Sequence, residues 1–201
     1  MSAQSRLPMN HPSQTNPPNA SGIAPFDAAA ATLRAARLRV MVFDVDGVLT
    51  DGGLRYGPAG EVIKTFDSLD GHGLKLLGEA GIVTAIITGR QSDIVAKRAA
   101  DLRVAHVYQG VHDKRTAFED LCAKVGVAAD VCGHIGDDWP DLPVLTRVGF
   151  AACPANAHVE VKTRCHWIAS TRGGEGAARE LCDFILRAQG RYDALLAEAI
   201  A

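Results

Sequence analysis

One short stretch limits what this chain can become. The apolar run Val40-Met41-Val42-Phe43 passes directly into Asp44-Val45-Asp46-Gly47-Val48-Leu49-Thr50. A short apolar run rich in β-branched residues reads as a strand of a parallel sheet, buried on both faces. Ligands of open α/β sheets sit just beyond the carboxyl ends of the strands. Two aspartates two residues apart therefore lie where such a sheet binds its ligand. Carboxylates that close repel, which favours either a bound cation or one retained proton. An Asp-Gly turn ending the strand accounts for the pair equally well when it is taken alone.

The rest of the chain repeats the strand-then-polar pattern. Ile82-Val83-Thr84-Ala85-Ile86-Ile87 runs into Thr88-Gly89-Arg90, and Ala105-His106-Val107-Tyr108 leads to a loop with Lys114. Val131-Cys132-Gly133-His134-Ile135 ends in Gly136-Asp137-Asp138-Trp139-Pro140-Asp141, and a fifth strand covers Gly149 to Ala152. Helical stretches separate these runs, ending near Glu79, Leu102, Val125 and Gln189, with Asp70-Gly71 read as a break before the first of them. Strands alternating with helices imply βαβ units and a parallel sheet. Two β-prone runs around Gly57-Pro58-Ala59-Gly60 read as a hairpin directly after the first strand. The expected fold is α/β: a three-layer, Rossmann-like parallel sheet flanked by helices, with a hairpin flap and no cap domain.

Composition sets the outer limits. At 201 residues, 47% hydrophobic and 22% charged, the chain suits one globular domain. Residues 1–25, rich in Pro, Asn, Ser and Gln, read as a disordered leader. Residues 26–190 form the expected domain, opening with an alanine-rich helix at 26–37, and 191–201 a C-terminal tail. A net charge of −2 gives no reason to expect nucleic acid or an anionic membrane as partner. There is neither a membrane-length apolar run nor a secretory signal pattern. Five scattered cysteines without C-x-x-C spacing favour reduced thiols and a cytoplasmic location over disulfides or zinc. The dispersed histidines read as surface or local hydrogen-bonding residues.

In such a sheet the strand ends converge on one rim. Asp44 and Asp46, Thr88 and Arg90, Lys114, and Asp137, Asp138 and Asp141 would then meet there. So many carboxylates need a cation, and oxygen ligands without nearby Cys or His suit Mg²⁺. A hydroxyl, an arginine and a lysine facing them suit a phosphoryl group. One aspartate could attack phosphorus while a second protonates the leaving oxygen.

These four ordered motifs, Asp44-x-Asp46-Gly-x-x-Thr50, Thr88-Gly89-Arg90, Lys114 and Gly136-Asp137-Asp138-x-x-Asp141, resemble those of the haloacid dehalogenase-like phosphatases. Phe43–Gly52, Asp70-Gly71-His72-Gly73, Tyr108-Gln109-Gly110 and the Gly173-Gly174-x-Gly176 stretch extend the likeness to the capless branch acting on 3-deoxy-D-manno-octulosonate 8-phosphate. The resemblance covers about residues 37–190. It implies a lipopolysaccharide-precursor phosphatase working through an aspartyl phosphate. It also implies roles. Asp44 is the nucleophile and a metal ligand, and Asp46 the general acid-base, touching Mg²⁺ through its carbonyl. Asp137 is the third ligand, supported by Asp138 and Asp141. Thr88 and Lys114 hold the phosphoryl group. Asp67, Ser68, Leu69, Asp70, Gly71, Gly89, Arg90 and Arg98 fall at substrate positions, and Lys75 stands where relatives can carry arginine.

Spacing argues separately that a cap is missing. Between Asp46 and Thr88 lie 41 residues, and between Lys114 and Asp137 lie 22, too few for a further domain in either place. In the family the chain resembles, a neighbouring subunit of a homotetramer covers the site through the hairpin and tail. A response-regulator receiver shares the acidic cluster, Thr and Lys, but lacks an aspartate at the place of Asp46. A non-catalytic scaffold is disfavoured because every chemical position is filled. A sister phosphatase for another acidic sugar phosphate, such as a nonulosonate 9-phosphate, fits the catalytic motifs equally well.

Overall fold

The structure, a computed structural model, describes residues 27–201. The leader read at 1–25 lies outside the described residues.

The chain opens with helix α1 (Ala28–Ala35), capped by the Asp27 carboxylate, which accepts from the Ala30 amide at 3.0 Å. Strand β1 (Val40–Phe43) follows, then a hairpin of β2 (Arg55–Gly57) and β3 (Gly60–Ile63). Three alternations come next: α2 (Ser68–Glu79) with β4 (Val83–Ile87), α3 (Asp93–Asp101) with β5 (His106–Tyr108), and α4 (Lys114–Val125) with β6 (Cys132–Ile135). The short helices α5 (Leu142–Leu145) and α6 (Val159–Lys162) precede β7 (Phe150–Cys153) and β8 (Trp167–Ile168), and α7 (Ala177–Ala188) and α8 (Tyr192–Ile200) close the chain.

Six strands pair in parallel in the order β5-β4-β1-β6-β7-β8. Among these strands the chain runs outward from β1 on one side, then returns to β1 and runs outward on the other. The order therefore reverses at β1, the point where doubly wound sheets open a ligand crevice. The Asp44–Asp46 segment leaves the sheet at that crevice. The sheet is parallel and α/β as the sequence implies. Strand β8, a two-residue edge, extends it beyond the five strands legible in the sequence.

Side-chain alternation along β1 assigns the two faces. Met41 and Phe43 pack with Leu74, Leu77, Leu181 and Ile185 of α2 and α7. Val40 and Val42 pack with Phe118 and Leu121 of α4 and with Val144 and Leu145 of α5. With a period of two, Asp44 continues the Val40–Val42 side and emerges toward α4 and the start of α5. Lys114 and Asp141 lie there.

Two sequence readings change. Asp70-Gly71 lies inside α2 rather than breaking it. Asp67 is the N-cap, accepting from the Asp70 amide at 3.3 Å, and Gly71 lies against the Arg98 guanidinium, which a Cβ at 71 would push aside. The C-terminal tail carries a helix, α8, whose Tyr192 and Leu195 pack on the core beside α7.

Candidate active site

The loop after β1 is built around Thr50. Its hydroxyl, 2% exposed, donates to the Val45 carbonyl at 3.3 Å and accepts from the amides of Gly47 and Gly52. Gly47 has φ +87°, and a Cβ there would overlap the Asp137 carboxylate. Only glycine lets this loop pass so close to the end of β6. The Gly173–Gly176 loop is docked here: the Gly174 amide donates to the Val48 carbonyl at 3.0 Å, and a Cβ on Gly173 would overlap the Gly47 carbonyl.

Around this loop lies a buried charge cluster. Lys114, the first residue of α4, is 4% exposed and reaches Asp44 Oδ1 at 2.9 Å and Asp141 Oδ1 at 2.7 Å. His134 Nε2 meets the same Asp141 oxygen at 2.8 Å. The other oxygen of Asp141 accepts from the amides of Asp137 and Asp138 at 3.2 and 3.4 Å. Asp141 is thus an anchor, fixing both Lys114 and the turn that carries Asp137. Thr88, 2% exposed, stands one residue past β4, its amide bonded to the Tyr108 carbonyl.

Oxygens of Asp44, Asp137 and Asp141 all lie within 4.8 Å of one another. Burial, then the charge of Asp141, pushes Asp44 up to about 7 despite Lys114. Burial, then the charges of Asp141 and Asp138, pushes Asp137 up to about 7 as well. Burial opposes ionisation of Asp141 too, but His134 and Lys114 hold it down at about 2. The single buried lysine leaves this cluster short of positive charge. Oxygen donors with surplus negative charge fit a hard divalent cation, which would restore the ionised forms of Asp44 and Asp137.

A second network surrounds Asp46. Its carboxylate pairs with Lys64, a hairpin residue with a 2% exposed side chain. Lys64 also reaches Glu61 Oε1 at 2.9 Å, and Ser92 donates to the other Glu61 oxygen. Arg90 Nε lies 3.5 Å from Asp46 and its Nη1 donates to the Tyr56 hydroxyl at 2.9 Å.

Comparison with known proteins places this geometry. The haloacid dehalogenase-like hydrolase family model matches residues 101–181. The 3-deoxy-D-manno-octulosonate 8-phosphate phosphatase KdsC of Escherichia coli K12 is 39% identical over 173 residues, 86% of this chain and 92% of the relative. The chain belongs to this phosphatase family, within the haloacid dehalogenase-like hydrolases. A hypothetical protein from Xanthomonas campestris is 50% identical with a TM-score of 0.83, the match covering 86% of this chain and 94% of that one. A 3-deoxy-D-manno-octulosonate 8-phosphate phosphatase from Moraxella catarrhalis, crystallised with magnesium, phosphate and KDO, is 39% identical with a TM-score of 0.81, covering 84% and 97%.

Of the seven residues read as catalytic, metal-binding or supporting, Asp44, Lys114, Asp137 and Asp141 meet in the charge cluster with Asp138 next in the chain, Asp46 sits in the second network, and Thr88 follows the end of β4. The residues read as substrate-binding divide. Arg90 and Gly89 are exposed beside Asp46. Asp67 is the half-buried N-cap of α2 and Ser68 and Leu69 are its exposed first residues; Arg98 Nη2 donates to the Asp67 carbonyl at 3.2 Å. Asp70 is 2% exposed and turned inward, accepting from the Arg179 amide at 2.7 Å, so it caps α7. Gly71 is buried against Arg98. Lys75 is not brought to the cluster within its own chain: it lines a surface cleft with Thr84, Leu102 and Arg103, toward the opposite end of β4 from Thr88.

Sequence reasoning missed Lys64, Glu61, Tyr56, Ser92 and His134. A histidine inside the apolar run of β6 carried a usable signal, since a fully buried imidazole needs a partner. Lys64 carried none, because a lysine ending a hairpin strand is ordinarily solvated.

Proposed function

We propose that this chain hydrolyses 3-deoxy-D-manno-octulosonate 8-phosphate to the free sugar acid and phosphate, with Mg²⁺ as cofactor. The observation that carries this is Asp44 at the reversal point of the sheet, paired with Lys114 and set against Asp137 and Asp141. The family the chain belongs to supports the choice of substrate. Asp44 attacks phosphorus as the phosphorus–sugar oxygen bond breaks, and protonated Asp46 gives its proton to the leaving oxygen. The Asp46 carboxylate then takes a proton from water, whose oxygen attacks phosphorus and releases Asp44. Lys114 and Thr88 hold the phosphoryl oxygens. Asp44, Asp137 and the Asp46 carbonyl would hold the cation, with Asp138 and Asp141 in support. When bound, Mg²⁺ offsets the charge of the carboxylates, so that an anionic phosphoryl group can approach Asp44.

Substrate recognition falls to Arg90, Arg98 and the start of α2 at Asp67–Leu69, the inward Asp70 and Gly71 holding that segment in place. The catalytic unit spans residues 26–190, and 191–201 add a helix to it. The enzyme works in the cytoplasm as a homotetramer, at a step of lipopolysaccharide precursor synthesis. Support for the assembly is the hairpin, where Leu54, Tyr56, Val62 and Ile63 are 43, 60, 59 and 51% exposed. An apolar patch of that kind marks an interface. Among the described residues no helix is long and apolar enough to cross a membrane, and all five cysteines are free.

Phosphate release from a panel of acidic sugar phosphates tests the reading. The octulosonate 8-phosphate is expected to be turned over fastest, with chelator abolishing and Mg²⁺ restoring the rate. Preference for a nonulosonate 9-phosphate would move the chain to that sister activity. Full activity in excess chelator would refute the cation's part.

A further inference from the structure

We infer that Lys64, on the hairpin, is the positioning residue for the acid-base group Asp46, so that the flap takes part in proton transfer as well as covering the site. The inference rests on the reading of Asp46 given above.

The geometry is specific. Asp46 is joined to the chain two residues past the nucleophile, and without a partner its carboxylate would be free to turn toward the cluster of Asp44, Asp137 and Asp141. Lys64 pairs with it instead, and Asp46 is not among the carboxylates grouped with Asp44. The Lys64 side chain is 2% exposed, while its two carboxylate partners, Asp46 and Glu61, are each 19% exposed. A lysine so buried is held by charge on both sides, Asp46 on one and Glu61 on the other. Glu61 is in turn fixed by Ser92, whose amide accepts no freedom either: it donates to Gln109 Oε1 at 2.9 Å. A chain of contacts therefore runs from the loop after β4 through Ser92, Glu61 and Lys64 to Asp46. Arg90 approaches the other Asp46 oxygen at 3.5 Å but is 44% exposed and shared with Tyr56, so Lys64 is the firmer restraint.

The chemistry supplies a readout that a purely structural role would not move. A sugar alkoxide is a poor leaving group and needs the Asp46 proton as its bond to phosphorus breaks. p-Nitrophenolate is a good leaving group and does not. Displacing a catalytic group by about 1 Å can cost about 10²-fold in rate. Lys64→Met is therefore expected to slow single-turnover phosphoenzyme formation from the sugar phosphate by roughly 10- to 100-fold. Formation from p-nitrophenyl phosphate is expected to change less than about threefold, with Lys64→Arg intermediate between Lys64→Met and wild type. The ratio of the two rates within one protein sample cancels any loss of folded enzyme. Lys64→Met is also expected to add nothing further to the defect of Asp46→Asn. Equal losses on both substrates, or full additivity with Asp46→Asn, would overturn the inference. If Asp46→Asn itself shows no leaving-group dependence, the acid-base reading of Asp46 falls, and the two failures are thereby told apart.

Discussion

The charge cluster at the end of β1 and the hairpin beside it are built on opposite terms. Every carboxylate facing Lys114 has a partner from its own chain: Asp44 has Lys114, and Asp141 has Lys114, His134 and two amides. The hairpin holds the rest of the molecule through Tyr56, Glu61 and Lys64 and leaves four large apolar side chains in solvent. A two-stranded hairpin is marginal by itself in water. The contrast separates two needs of the reaction. On the function proposed above, bond making and breaking are provided within one chain, and a neighbouring subunit at the hairpin would keep water from the aspartyl phosphate.

The sharpest way to break that comparison is to remove the nucleophile while leaving the hairpin untouched. Asp44→Asn is expected to cut turnover by on the order of 10⁴-fold or more and to leave the particle mass by light scattering unchanged. Appreciable turnover would move the chemistry to another residue.

The converse change acts on the hairpin alone. Leu54→Glu with Val62→Glu places charge in the exposed apolar patch and is expected to give a smaller particle with turnover lowered by roughly 10- to 100-fold. Neither substitution touches Asp44 or Lys114. A monomeric variant with the full rate would show that one chain shields its own site.

The smallest effect concerns pH and the cation. Asp44 and Asp137 are pushed up to about 7 from an ordinary 3.8. Between those values the folded protein binds more protons than the unfolded chain, so chelated protein loses stability as pH rises from about 4 toward 7. Mg²⁺ should therefore raise the melting temperature more at pH 7.5 than at pH 5.5, by about 5 °C. An equal gain at both values would mean that the two carboxylates are not the groups that meet the cation.

Much of this organisation was legible in the sequence because it is periodic or repeated. Buried strands show as apolar runs, and four runs ending in polar residues give the rim and its members. Less local features were not legible. Asp70-Gly71 reads as a break because the glycine looks like punctuation, yet it sits inside α2 against the Arg98 side chain of another helix. Asp70 falls at a substrate position by the family resemblance, but its carboxylate caps a helix more than a hundred residues later, at Arg179. The fixed course of the Gly173–Gly174 pair was not legible either, because its constraint is the Gly47 backbone, distant in sequence. Lys64 belongs to the same class: its meaning depends on where the hairpin folds, and no spacing encodes that.

The most direct test of the chemistry is to find the phosphoryl group. Wild-type protein turning over 3-deoxy-D-manno-octulosonate 8-phosphate with Mg²⁺ is quenched in acid within milliseconds, digested and mapped by mass spectrometry. Phosphate is expected on the peptide containing Asp44 and on no other, and is expected to vanish in Asp44→Asn. Phosphate on another residue, or turnover with no phosphorylated peptide at any quench time, would contradict nucleophilic attack by Asp44.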